Sequence, residues 1–275
     1  MTGELDLPEG YVASRRDRAM LVAHVELEHE LKRVGLDQPA GWETRLKEPA
    51  TAPGRGATSL LQLSSGRVVR LKRLRRGGWT AALWRDHFRG PDRPLDNLRV
   101  AHAAARLGVA TPPVVALLMV HGVGGLVRAW LAVEELADAV DLQSCFQSDQ
   151  PPTRAELDAT LVMVRGMHDR GLVHRDLNLG NLLIRRGTAT EAFVIDLDRA
   201  RLHAGPLGFH PRQRALRRLE RSYVKSCGTG AVSEAVRSSI YTLYAADDRE
   251  LAARLEQGRH AGRVWISLHR LGWRR

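Results

Sequence analysis

One stretch constrains this chain more than any other: His174-Arg175-Asp176-Leu177-Asn178-Leu179-Gly180-Asn181, lying between an apolar periodic segment and a short apolar run. Fifteen residues past Asn181 lies Asp196, within Phe193-Val194-Ile195-Asp196-Leu197-Asp198, a second short apolar run that ends in carboxylates. The segment before it, Thr153 to Arg170, has a helical apolar period, with Pro151-Pro152 ahead of it and Gly171 behind it. A helix, a polar loop carrying Asp and Asn, a strand, and a second strand delivering an Asp must therefore come in that order. The loop has to fold back on itself to bring its polar side chains together.

The spacing has a chemical reason. An aspartate that accepts a hydrogen bond from an attacking hydroxyl, and an asparagine five residues later that turns back to hold a metal on phosphates, form the phosphoryl-transfer loop H-R-D-L-x-x-x-N. Asp176 and Asn181 fit those two roles, with His174 and Arg175 completing the loop. Asp196 is the second candidate metal ligand. Mg²⁺ prefers hard oxygens and keeps several waters, so one carboxylate, one amide oxygen and phosphate oxygens make a suitable shell.

The upstream half should then supply nucleotide contacts. Ser59 to Leu74 reads as a hairpin turning at Ser64-Ser65-Gly66, and Val114 to Val120 with Leu126 to Val133 reads as a second. Asn97 to Leu107 is helical in composition. Gly54-Arg55-Gly56 precedes the first strand, where a glycine turn lets backbone N–H groups approach phosphates. Strand alternation puts Arg70 and Lys72 on one side, opposite Val69 and Leu71. Lys72 is the candidate cation for the α/β-phosphates and Arg70 its rival. Val133-Glu134-Glu135-Leu136 reads as a hinge whose backbone, at Glu134 and Leu136, would meet an adenine edge. The usual glutamate partner of such a lysine is missing, since no glutamate lies between Glu48 and Glu134; Asp96 or Asn97 is the nearest substitute.

The reading is α+β: a two-lobed protein-kinase-like fold, with a strand-rich N-lobe, a helical C-lobe and a nucleotide cleft between. Residues 1–52 read as a partly helical N-terminal extension, with helix-like stretches at Arg16 to Val34 and Trp42 to Lys47. The N-lobe then runs over 53–136 and the C-lobe over 137–275.

Further residues carry a resemblance: Arg75-Arg76-Gly77-Gly78, Leu107-Gly108-Val109-Ala110-Thr111-Pro112, Ile195-Asp196-Leu197-Asp198-Arg199 and Leu219-Glu220-Arg221-Ser222-Tyr223-Val224-Lys225. With Gly54 to Ala57 and His168 to Asn181 they make the chain, over about Pro53 to Lys225, similar to the lipopolysaccharide core kinases, on their 3-deoxy-D-manno-octulosonic acid (Kdo) kinase side. The resemblance implies an enzyme that uses ATP and Mg²⁺ to phosphorylate a sugar hydroxyl of the lipid A–core glycolipid, cytoplasmic and peripheral to the inner membrane. Leu197 stands where the family often has an aromatic. The motifs describe the phosphate donor, so an acceptor that is another small molecule or a protein stays open, as does a basic binding module without chemistry.

Charge narrows the partners. The formal net charge is +11, and two segments carry it: Arg67 to Arg89, where eight cations face Asp86 alone, and Arg212 to Lys225, where six face Glu220 alone. In the second, Arg214, Arg217, Arg218, Arg221 and Lys225 share one helical stripe, with Leu216, Leu219 and Tyr223 opposite. Anionic partners, including an anionic membrane surface, are expected. No interleaved aromatic pattern accompanies the charge, so nucleic acid is not expected. The longest purely apolar run, Val114 to Val120, is too short to span a bilayer, and the start shows no signal-peptide pattern. Cys145 and Cys227 have neither a disulfide-framework nor a zinc-site spacing.

Overall fold

The computed structural model describes residues 5–47, 58–75, 86–227 and 234–261, the last helix ends by backbone alone. The chain divides into two compact units, 1–106 with 112–136, and 107–111 with 137–275.

The first unit is built on one seven-stranded antiparallel sheet. Its strands are β1 (Tyr11–Arg16), β2 (Ala19–His24), β3 (Thr58–Gln62), β4 (Val68–Arg73), β5 (Phe88–Arg89), β6 (Val114–His121) and β7 (Leu126–Glu134), in the order β1-β2-β6-β7-β4-β3 with β5 also on β7. The two hairpins expected from sequence are β3–β4, with Ser59 opposite Leu71, and β6–β7, with Leu118 opposite Trp130. Gly124 and Gly125 take left-handed backbone in the second turn, a conformation that costs glycine little.

The stretch Arg16 to Val34 corrects the helical reading. It holds the end of β1, all of β2 and only a short helix, α1 (Glu28–Arg33). Asp17, in left-handed backbone, turns the chain so that Arg16 pairs with Ala19. β2 lies between β1 and β6, and Leu21, Val22 and Ala23 are all fully buried. A strand covered on both faces has a continuous apolar run, which periodicity cannot tell from a helix.

The core of this unit joins Leu21, Val69, Leu71, Leu118, Trp130 and Ala132 of the sheet to Leu31, Leu36 and Trp42. Trp42 belongs to α2 (Pro39–Lys47) and donates its Nε1–H to the Leu36 carbonyl at 2.8 Å. Removing such a fully buried aromatic costs roughly 3–5 kcal/mol in well-packed cores. Residues 11–47 are thus integral to the first unit. α3 (Asp92–Arg106) starts five residues before the helix expected at Asn97, because Pro94 falls in its first turn, where a missing N–H costs nothing.

The second unit is mainly helical. α4 (Leu142–Gln147), α5 (Arg154–Asp169), α6 (Phe209–Cys227), α7 (Glu234–Ala245) and α8 (Arg249–Ala261) surround a three-stranded sheet of β8 (Ala139–Asp141), β10 (Leu182–Arg185) and β11 (Glu191–Val194), ordered β11-β10-β8. A two-stranded ribbon pairs β9 (Leu172–Val173) with β12 (Arg201–Leu202). α5 opens on a capping box, in which Thr153 Oγ1 accepts from the Glu156 N–H and Glu156 accepts from the Thr153 N–H. Arg186 pairs with the same carboxylate at 2.6 Å. Among the described residues no helix is long and apolar enough to cross a membrane.

Candidate active site

The loop 174–181 is held at both ends by backbone. α5 stops at Gly171, which takes φ +81° and whose added Cβ would meet the His203 and Gly205 carbonyls at 2.4 and 2.5 Å. Its own carbonyl accepts from the His203 N–H. Only glycine fits there, and it turns the chain straight into β9 and His174.

His174 is the hub of the loop. It is buried; its Nδ1 accepts the Asp176 N–H at 3.1 Å, so Nε2 carries the proton and donates to the Ile195 carbonyl at 3.0 Å. Burial pushes its pKa below the ordinary histidine value, consistent with this neutral tautomer. One ring thereby ties the backbone of Asp176 to the strand end that delivers Asp196.

Asn181 closes the loop from the other side. Its Nδ2 donates to the Asp176 carbonyl at 2.8 Å, as does Asn178 Nδ2 at 3.0 Å, and its backbone carbonyl accepts the Ile195 N–H at 3.0 Å. Its Nδ2 being the donor, the amide oxygen of Asn181 remains an acceptor. Asp196 follows directly, in left-handed backbone with φ 59° and exposed. Hydrogen bonds to and from backbone thus tie the turn of Asp176 and Asn181 to the strand end at Ile195 that leads into Asp196. Arg175 is exposed. Among the described residues no group of three or more His, Cys, Asp or Glu is placed to hold a metal. The donors here are two hard oxygen groups, the set that suits a cation sharing its shell with phosphate and water.

Sequence reasoning read the basic helix α6 but missed that it braces this loop. Ser222 Oγ on α6 accepts the Leu179 N–H at 3.1 Å, and the 107–111 segment accepts the Val194 N–H at Ala110. The only signal was the stretch Leu219 to Lys225, noted for likeness and not for contact. Arg218, one turn before Ser222, lies within electrostatic reach of both Asp176 and His174. Burial, then Arg221 and Arg214, pull its guanidinium below the ordinary arginine value, with Asp176 opposing.

The nucleotide candidates belong to the first unit. Val69 and Leu71 are fully buried, so Arg70 and Lys72 share the other side of β4. Arg70 is committed elsewhere: it grips Glu135 with Nε and Nη2 at 2.6 and 2.5 Å and donates to Thr58 Oγ1. That bidentate pair leaves Lys72 as the candidate. The Glu134 N–H is spent on the Pro113 carbonyl and the Glu135 N–H on Val68, whereas the Leu136 backbone makes no such bond among the described residues. Asn97 is buried and donates to its own helix at Arg93, and Asp96 is paired with Arg99 at 3.5 Å. Gly54, Arg55 and Gly56 lie outside the described residues.

The model of the lipopolysaccharide kinase (Kdo/WaaP) family matches residues 41–244. The chain belongs to that family. It is 31% identical over 208 residues to a 3-deoxy-D-manno-octulosonic acid kinase of Xylella fastidiosa (strain M12), covering 74% of this chain and 80% of that protein. To the enzyme of the same name from Vibrio vulnificus (strain YJ016) it is 32% identical over 198 residues, covering 70% and 80%. Among solved structures, WaaP in complex with acyl carrier protein superposes with a TM-score of 0.51 at 22% identity, over 88% of this chain and 98% of that one. The fold is thus the protein-kinase-like one, and the chain is a kinase.

Proposed function

We propose that this kinase transfers the γ-phosphoryl group of ATP to a hydroxyl of 3-deoxy-D-manno-octulosonic acid on the lipid A–core glycolipid. The observation that carries the reading is the single ring of His174, which locks Asp176 to the strand end bearing Asp196 while Asn181 clasps the same turn. The acceptor comes from the relatives, which carry that sugar acid in their names.

Asp176 accepts the hydrogen bond of the attacking hydroxyl and takes its proton as the sugar oxygen bonds to the γ-phosphorus; the bond to the ADP oxygen breaks in line. Asn181 Oδ1 and the Asp196 carboxylate would hold Mg²⁺, which when bound neutralises charge on the phosphates. Lys72 contacts the α- and β-phosphates, and the Leu136 backbone is free to meet the adenine edge. The basic face of α6 supports a position on the cytoplasmic face of the inner membrane, peripheral to an anionic surface.

The test is D176A assayed with labelled ATP against Kdo–lipid A, other core precursors, an aminoglycoside and a generic protein. The wild type should label the sugar acid. D176A should lower turnover by about 10²–10⁴-fold while Mg·ATP still raises its melting temperature as in the wild type. Label entering only the protein would overturn the acceptor, and unchanged turnover would overturn the role of Asp176.

A further inference from the structure

The cations of α6 divide sharply. Arg212 is buried against Asp169 at 2.7 Å and donates to the Leu207 carbonyl and Tyr244 Oη; Arg217 donates to the Gly258 carbonyl. Glu220, the one acid of the helix, is buried and accepts the Tyr241 hydroxyl at 2.6 Å. Arg214, Arg218 and Arg221, at i, i+4 and i+7, are different. Among the described residues no carboxylate lies within 4.0 Å of their guanidinium nitrogens.

The helix is not free to turn this face away from the catalytic loop. Ser222, at i+4 from Arg218, holds the Leu179 N–H, and Leu179 is three residues past Asp176. Arg218 is half-buried beside two like charges, and among the described residues the opposite charge that acts on it is that of Asp176. A cation placed so is costly until an anion completes it. Asp176 cannot remain that anion through turnover, because it loses its charge when it takes the acceptor's proton. An anion that completes it arrives with the acceptor, beside the loop that carries Asp176. A carboxylate on the acceptor sugar is such an anion, and it matches the planar guanidinium fork.

We infer that Arg218, flanked by Arg214 and Arg221, is a specificity-determining residue that pairs with the carboxylate of an acidic sugar acceptor and so sets its hydroxyl against Asp176. The assignment rests on the sugar-kinase reading above and names the group by which that sugar is chosen. A phosphate of the lipid portion offers similar oxyanion chemistry, and the test separates the two.

Wild type, R218Q and R218K would be assayed on three acceptors: Kdo–lipid A, its carboxylate methyl ester, and the same glycolipid stripped of lipid phosphates. Esterification should lower wild-type kcat/KM by about 10–100-fold, the range of one lost charge-assisted pair, mainly through KM. R218Q should lose as much on the acid and be indifferent to the ester, with R218K between. Phosphate removal should affect wild type and R218Q alike, and the Mg·ATP thermal shift should persist in all three proteins.

An R218Q that still distinguishes acid from ester overturns the assignment, as does a loss that follows phosphate removal. If R218Q shows no Mg·ATP shift, R218K decides: undiminished acid-to-ester discrimination in a protein that keeps the charge but not the fork also overturns it. A wild type that binds Mg·ATP yet phosphorylates none of the acceptors removes the sugar reading itself, and this inference with it.

Discussion

At the scale of single residues, two buried histidines set the acid limit of the fold. His168 sits at the end of α5 with Nδ1 2.8 Å from Tyr244 Oη, which also accepts from Arg212. Burial, then the nearby Arg212 and His174, push its pKa from 6.5 to about 3, and His174 is lowered for the same leading reason. Below about pH 6.5 the unfolded chain takes up protons at these positions that the native state does not. Stability therefore rises with pH through this window; for His168 it is lost as pH falls from about 6.5 toward 3, at up to ~1.4 kcal/mol per pH unit, and His174 acts in the same direction. Urea titrations at stepwise pH check this. H168Q should be less stable than wild type at pH 7.5 yet show a shallower decline between pH 6.5 and 5. An identical slope would assign the acid sensitivity to other groups.

At the scale of elements, what was legible followed from local rules. Both hairpins carry alternation and a turn signal, α5 carries proline before and glycine after, and 174–181 carries its spacing. What was not legible depends on partners distant in sequence. β2 reads as helix until β1 and β6 pair with its two edges and packing buries its side chains, and Arg70 reads as a rival phosphate ligand until Glu135, 65 residues on, takes its guanidinium. Ser222 has no sequence signature at all, since its role exists only where α6 meets Leu179. Gly171 lies on the legible side and gives an element-level prediction. G171A needs left-handed backbone, about 1–2 kcal/mol for an L-residue, and also puts a Cβ into two carbonyl oxygens. It should lose at least ~2 kcal/mol in denaturant unfolding. Because β9 leads directly into His174, turnover should fall beyond the unfolded fraction; turnover that tracks only the folded population would separate the turn from the loop.

At the scale of the whole molecule, the excess of +11 is not one surface. In the first basic segment Arg67 pairs with Glu26, Arg70 with Glu135, and Arg73 and Arg75 with Asp86, while Arg73 also lies over the Trp130 ring. Two of these acids, Glu26 and Glu135, come from elsewhere in the chain, and Asp86 belongs to the segment itself. On α6, among the described residues, no carboxylate lies within 4.0 Å of Arg214, Arg218 or Arg221, and Lys225 extends that face by one more turn beyond Arg221. An exposed cation near an anionic bilayer contributes about 1 kcal/mol, so replacing Arg214, Arg221 and Lys225 together by glutamine should weaken binding to phosphatidylglycerol vesicles by roughly 10²-fold. Sedimentation with vesicles of phosphatidylglycerol, and of phosphatidylcholine alone, measures it. Wild-type binding should be confined to the anionic vesicles and collapse between about 0.05 and 0.5 M salt, as the Debye length shortens from more than 10 Å toward a few ångströms. Arg218 stays in place in this variant, so turnover on a short-chain, detergent-free acceptor should change much less than vesicle binding. Salt-insensitive association, or a triple variant that binds as tightly as wild type, would show that the membrane is met by another surface and leave the α6 face to the acceptor alone.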